Sequence, residues 1–324
     1  MSKEYNLKTQ MTIITARVPE ELAGMRLDQC LSEMFPDYSR SKLQTWVKAG
    51  RVRVNGAVLK SRDKLDGGEE ISLDAEAEAV LDFEAEDIPL DIVYEDDALL
   101  IINKPAGLVV HPAVGNWRGT LVNALLNHDP KLNTLPRAGI VHRIDKDTTG
   151  LLMIAKTLQA HASLIEQLQE RSIHREYLAL VKGWMTAGGC IDVPIGRHPV
   201  DRKRNAVRND GKEAVTHYRL EQRFKRHTLI RVKLETGRTH QIRVHMAHIN
   251  YPLVGDQVYG GRFQMPADCN PALAEALRNF KRQALHAAKL GLEHPESGEY
   301  CEWEQALPED MQHLITILAE NEMD

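Results

Sequence analysis

The sequence predicts an α+β protein of two domains: a small N-terminal α/β module, then a larger domain built on a mixed, largely antiparallel sheet. Three observations predict it. The chain has 324 residues, more than one domain usually uses. A stretch of seven acids and no bases, DAEAEAVLDFEAED from Asp74 to Asp87, interrupts it. Beyond that stretch, strand-like segments outnumber helical ones, and most neighbouring strands lack the helix-length crossover that parallel pairing needs.

Residues 1–17 read as an N-terminal tail, and residues 18–73 as the first domain. Leu27, Cys30, Leu31, Met34 and Phe35 recur at the i, i+3, i+4, i+7, i+8 spacing of an amphipathic helix. Ser39 is the expected N-cap of a second helix, on which Leu43, Trp46 and Val47 share a face, and Gly50 ends it. In RVRVNGAVLK, arginines then alternate with valines, and Asn55-Gly56 supplies the positive φ of a two-residue hairpin turn. Between Arg40 and Lys64 stand eight basic residues, Arg40, Lys42, Lys48, Arg51, Arg53, Lys60, Arg62 and Lys64, against one acid, Asp63. Charge of one sign on a compact unit suits a phosphate backbone, because each Lys or Arg releases condensed counterions. The plainer alternative is a solvated face. In its helix-helix-hairpin order, residues 24–73 resemble the S4 RNA-binding domain. The acidic stretch, taken as 74–88, reads as a linker too poor in large apolar residues to fold alone.

Residues 89–324 form the second domain. Its strands are expected in DIVYEDD, ALLIINK, LLMIAK, YLALVKG, VTHYRLEQR and TLIRVKLET, and its helices in HASLIEQLQE, around HQIRVHMAHI, and in DMQHLITILAE. Four stretches carry more polar chemistry than a connection requires: NKPAGLVVHP from Asn103, HRIDKDTTG from His142, REYLALVKG from Arg175 and GRTHQIRVHMAH from Gly237. In the second of these, Asp145 lies a few residues from the apolar run Leu151–Ala155. A carboxylate near a core is expensive unless partnered.

Together, in order and spacing, these four stretches resemble the signature segments of the RluA-type pseudouridine synthases. Ile144 stands where that family has Leu, and Thr149 where it has Ser. The resemblance runs from about Asp91 to Trp303, and includes GDQVYGG from Gly255 and RQALHA from Arg282. It implies isomerisation of uridine to pseudouridine within RNA, with Asp145 as catalytic carboxylate. Arg243 would be its partner, favouring the charged form against desolvation and orienting it by a bidentate contact. Tyr177 would stack on the uracil and could join a late proton transfer, and Ile242 would supply an apolar contact. The target nucleotide must leave its stack, and Arg143 would fill the gap unless it contacts phosphate. Asp147 is a rival carboxylate, read as a turn residue. Arg202, Lys203 and Arg204, in RHPVDRKRNAVR, would grip backbone, from a loop that could equally be disordered without RNA.

With the S4-like module, the resemblance implies large-subunit (23S) ribosomal RNA as partner, alone or within a preribosomal particle. Transfer RNA is the alternative target, and a non-catalytic RNA-binding assembly factor the rival reading. Composition narrows the field. No eighteen apolar residues run together, so no membrane partner is expected. A net charge of −5 argues against coating nucleic acid by bulk attraction. Cys30, Cys190, Cys269 and Cys301 lack metal or disulfide spacing. His240, His245 and His248 lie close in sequence, but only the last two share a helical face, and arginines flank them, a poor cation site. No metal and no cofactor are expected. A cytoplasmic monomer is.

Overall fold

The computed structural model describes residues 11–35, 40–76, 83–112, 116–201, 204–262, 265–266 and 269–323. The chain divides into two compact units, residues 1–82 and 83–324.

The first unit contains β1 (Met11–Arg17), α1 (Leu27–Met34), α2 (Arg40–Lys48), β2 (Val52–Val54) and β3 (Glu70–Glu76). Leu27, Leu31, Leu43, Trp46, Val52, Ile71 and Leu73 build its core. The expected hairpin is only half formed. Asn55 and Gly56 do turn with positive φ, 47° and 80°, yet beyond them the chain makes a single bridge, Val54 to Ala57. β2 pairs with β3 instead, in the antiparallel order β1-β3-β2. The difference is hydrophobic. Ile71 and Leu73 alternate into the core, whereas Val58 is half exposed, and register follows the segment that can bury one face. β1 lies within the expected tail, and Ile14 and Ala16 of that strand pack on the core. The expected linker also narrows. Asp74 to Glu76 belong to β3, while Phe83, Ile88 and Leu90 pack against the core of the second unit. Ser39, the expected cap, lies outside the described residues.

In the second unit the chain runs through β4 (Ile92–Glu95), β5 (Leu99–Lys104), α3 (Leu121–His128), β6 (Thr149–Ala155), α4 (Leu158–Gln169), β7 (His174–Lys182), β8 (Gly189–Asp192), β9 (Ile195–Arg197) and β10 (Asn205–Val207). It continues through β11 (Val215–Phe224), β12 (His227–Leu234), α5 (Gln241–His248), α6 (Pro271–Asn279), β13 (Leu285–Glu293), β14 (Tyr300–Glu304) and α7 (Glu309–Met323). The main sheet has the order β4-β5-β6-β13-β7-β12-β11-β8, with β14 on β13. Every pairing is antiparallel except that of β6 with β13. Both faces are covered. Leu100, Ile102, Leu152, Ile154, Ala179 and Val181 meet α3 and α5 on one side, while Leu99, Ile101, Leu151 and Met153 meet α4 on the other. That is why β5 and β6 read as continuous apolar runs rather than alternating ones.

The parallel pair positions the site. Ala287 of β13 stands opposite both Gly150 of β6 and Tyr177 of β7. Gly150 has φ +108°, and a Cβ there would lie 2.2 Å from the Ala287 carbonyl oxygen. Only glycine permits that approach. The end of the HRIDKDTTG stretch is thereby fixed one strand away from Tyr177, with Ala287 between them.

Candidate active site

Asp145 lies in the loop that enters β6, and the neighbouring residues are held from outside. Lys104 Nζ and Gly107 N both donate to the Lys146 carbonyl, at 2.8 and 3.0 Å. Arg282 donates to the Asp147 carbonyl at 3.3 Å and Gln283 to Thr148 Oγ1 at 3.0 Å. Thr149 Oγ1 meets His286 Nδ1 at 2.9 Å. From inside, the Met153 amide donates to His142 Nε2 at 3.1 Å. Burial, with Arg175 nearby, lowers the His142 pKa to about 3, so its ring is neutral and accepts. The polar residues of this loop therefore act largely as structure.

Lys104 is a fully buried cation. Its ammonium donates to the carbonyls of Pro105 at 2.7 Å, Leu108 at 3.0 Å and Lys146 at 2.8 Å. Burial lowers its pKa to about 7, against the pull of Asp147 and Asp145. It thereby ties the NKPAG stretch to the Asp145 loop.

Arg243, on α5, reaches Asp145 as expected, Nη1 to Oδ2 at 2.8 Å. The bidentate contact goes elsewhere. Nε and Nη2 donate to Asp256 at 2.7 and 3.0 Å, and Asp256 also accepts from the amides of Val258 and Tyr259 at 2.8 and 2.9 Å. Burial alone would raise the Asp256 pKa, but Arg243 and these amides hold it down. Burial likewise works against the Arg243 charge, and the two carboxylates outweigh it. The sequence reading passed over Asp256; the signal was a lone carboxylate in the Gly-rich GDQVYGG stretch. Tyr259 backs Arg243 and His240. Arg243 lies over its ring at 5.0 Å and Arg204 at 5.3 Å, and its hydroxyl meets His240 Nδ1 at 2.8 Å. His240 Nε2 is 3.8 Å from Asp145 Oδ1.

Asp145, His240 and Arg243 line a cleft of about 950 Å³ in the second unit, with Asp256 and Tyr259 behind them. Tyr177 and Ile242, 6% and 4% exposed, form its apolar floor with Leu234 and Leu285. Burial, with Asp145 nearby, raises the Tyr177 pKa against the pull of Arg175, so the phenol keeps its proton. Arg143 is exposed at the cleft, and Arg137, Arg171, Arg175 and Arg238 line it. Asp147 is not among the lining residues. His245 is occupied by Thr216 and the Val193 carbonyl, and the described residues contain no cluster suited to a metal ion. Arg204 is half-buried against Tyr259 rather than free in a loop, because Asn205 pairs with Arg197 and its side chain donates to the Thr239 carbonyl at 2.8 Å. Arg202 and Lys203 lie outside the described residues. In the first unit, Lys48 and Arg53 are exposed and Arg51 is half-buried, while Arg40 and Lys42 lie on α2.

The structure thus brings Asp145, Arg243, Tyr177, Ile242 and Arg143 together in one arginine-lined cleft. The chain belongs to the pseudouridine synthase family. The RNA pseudouridylate synthase family model matches residues 98–248 and the S4 domain model residues 25–71. The chain is 57% identical to the ribosomal large subunit pseudouridine synthase D of Pseudomonas aeruginosa over 306 residues, covering 94% of this chain and 96% of that one. It is 56% identical to the protein of the same name from Escherichia coli K12, covering 95% of each. The human RNA pseudouridylate synthase domain containing 4 shares the fold, with a TM-score of 0.54 at 24% identity over 71% of this chain and 93% of that one. No described helix is long and apolar enough to cross a membrane.

Proposed function

We propose that this isomerase converts particular uridines of large-subunit (23S) ribosomal RNA to pseudouridine, with Asp145 as the catalytic carboxylate. The observation that carries the reading is the Asp145–Arg243–Asp256 chain in an arginine-lined cleft. The ribosomal target rests on the names of the relatives that match nearly the whole chain. In the reaction the C1′–N1 bond of uridine breaks, the uracil turns, and its C5 joins C1′. Arg243 holds Asp145 Oδ2 and leaves Oδ1 without a hydrogen bond from the described residues. That oxygen either attacks C1′ or takes a proton from C2′. Tyr177 and Ile242 bracket the base, and the protonated phenol serves as a platform more than as a base. Arg143 enters the gap left when the nucleotide flips. Arg40, Lys42, Lys48, Arg51 and Arg53 of the first unit, with Arg202, Lys203 and Arg204 of the second, contact backbone. The protein acts as a cytoplasmic monomer, without metal or cofactor, through an RNA-binding first unit and a catalytic second one.

The test is carbodiimide mapping of unmodified 23S and transfer RNA transcripts after incubation in EDTA with wild-type protein or Asp145→Asn. New reverse-transcription stops on 23S RNA with the wild type alone are expected, with RNA affinity nearly equal for the two proteins. Stops on transfer RNA alone would move the target, and equal activity of Asp145→Asn would remove Asp145 from the chemistry.

A further inference from the structure

Arg175 is a buried cation that the catalytic reading leaves unused. It is 8% exposed, lies two residues before Tyr177 on the same face of β7, and lines the cleft. No described residue accepts a hydrogen bond from its guanidinium, and its Nε is buried without a partner. Both carboxylates that line the cleft are engaged elsewhere, Asp145 by Arg243 and Glu235 by His217 and Arg171. Glu176, the next residue, faces away and pairs with Arg231. A guanidinium kept in a buried site without a counter-ion is costly unless a ligand supplies the negative charge. The rest of the cleft cations are arginines with other work or greater exposure.

We infer that Arg175 is a further catalytic residue, whose guanidinium bonds the uracil oxygens and receives the negative charge of the base while it is detached from the ribose. The inference rests on the reading of the site as a uridine isomerase. When C1′–N1 breaks, the bonding pair stays with the uracil and spreads over N1, O2 and O4. At C1′ the deficit is met by a bond to the Asp145 carboxylate or, after loss of the C2′ proton to that carboxylate, by a C1′=C2′ double bond. Either route makes the same uracil anion, and charge that appears only during reaction is what a fixed donor stabilises best. The anion then attacks C1′ through C5, while the bond from C1′ to Asp145 breaks or C2′ takes its proton back from the carboxylate. The C5 proton is lost to solvent and N1 takes one up, which leaves a neutral isomer. A phosphodiester fits the position less well. It is charged before reaction and hydrated, and suits the exposed Arg143 at the mouth, whereas Arg175 sits beside the tyrosine that would carry the base.

The test uses full-length protein and a short RNA containing the mapped uridine, made with uridine or with 5-fluorouridine at that position. Fluorine stabilises the departing base by itself. Single-turnover loss of the target nucleoside is read after nuclease digestion, and affinity by filter binding. Arg175→Gln should slow reaction on the uridine RNA by about 10²-fold with affinity unchanged, should lose markedly less on the fluorinated RNA, and should be partly rescued by Arg175→Lys. Gly237→Ala supplies an independent perturbation, because a Cβ there would lie 2.9 Å from Arg175 Nη1; a smaller loss with the same dependence on fluorine is expected, and it stands in if Arg175→Gln does not fold. Equal losses on the two RNAs, a defect confined to affinity, or full activity of Arg175→Gln would each overturn the assignment. A wild-type protein inactive on the uridine RNA would instead overturn the proposed function.

Discussion

Asp256 touches Arg243 rather than Asp145, yet it decides where the guanidinium points. With two of the three guanidinium nitrogens bound by Asp256, only Nη1 is left for Asp145. Asp256→Asn keeps the shape but removes the charge from a buried pair, and breaking such a pair costs roughly 3–5 kcal/mol. We expect a lower denaturation midpoint and a single-turnover rate reduced at least tenfold with RNA affinity kept. A normal rate in a folded variant would show that Asp145 alone orients Arg243. Lys104 gives a second prediction. Lys104→Met fills the same volume but leaves three carbonyls without their donor, at about 1–3 kcal/mol for each that finds no other. Urea denaturation should detect that loss, and the rate should fall with it because the Lys146 carbonyl sits one residue from Asp145.

At the level of elements, the two units are predicted to divide the work. Removing residues 1–82 leaves the second unit its own cores, and should weaken binding to 23S RNA strongly while single-turnover rate at saturating RNA changes little. A truncated protein with full affinity would place RNA recognition in the cleft instead. The elements that could be read in the sequence were those whose periodicity is one-sided or whose apolar run is unbroken. The helix at Leu27 and the runs at Leu99 and Leu151 are of that kind. α4 begins at Leu158 rather than His161, since Thr157 caps it by accepting from the Ala160 amide at 3.0 Å. β1, β13 and the true partner of β2 were missed for one reason. Strand pairing is decided between segments far apart in the chain, and Leu285–Glu293 mixes small and apolar residues because it is buried in the sheet centre. The site shows the same pattern. Asp145, Tyr177, Ile242 and Arg243 were legible in motifs, whereas Asp256 and Lys104 gain their roles from partners that no local spacing announces.

Across the whole molecule, the described histidines set a pH limit on stability. His111, His142, His161, His227, His240, His245 and His286 all have pKa values lowered chiefly by burial, His142 to about 3 and His227 to about 4. Below pH 6.5 the unfolded chain binds protons at these positions that the folded chain refuses, so stability falls as pH falls. The contribution is complete above pH 6.5 and is lost progressively down to the folded values. His142 and His227 should each withdraw about 2 kcal/mol between pH 6.5 and 4.5. The described carboxylates with lowered pKa values, Asp96 at about 2 among them, lose their contribution only below the ordinary carboxylate range, and Lys104, at about 7, makes most of its change above pH 6.5, so the decline below pH 6.5 belongs chiefly to the histidines. Urea denaturation at pH 7.5, 6.0 and 5.0 should give a steep decline, and His227→Gln, outside the cleft, should lessen the loss between pH 6.0 and 5.0 by about 1 kcal/mol. A stability that stays level from pH 7.5 to 5.0 would mean that these rings take up protons in the folded protein, and that the neutral His142 holding the Asp145 loop is wrongly assigned.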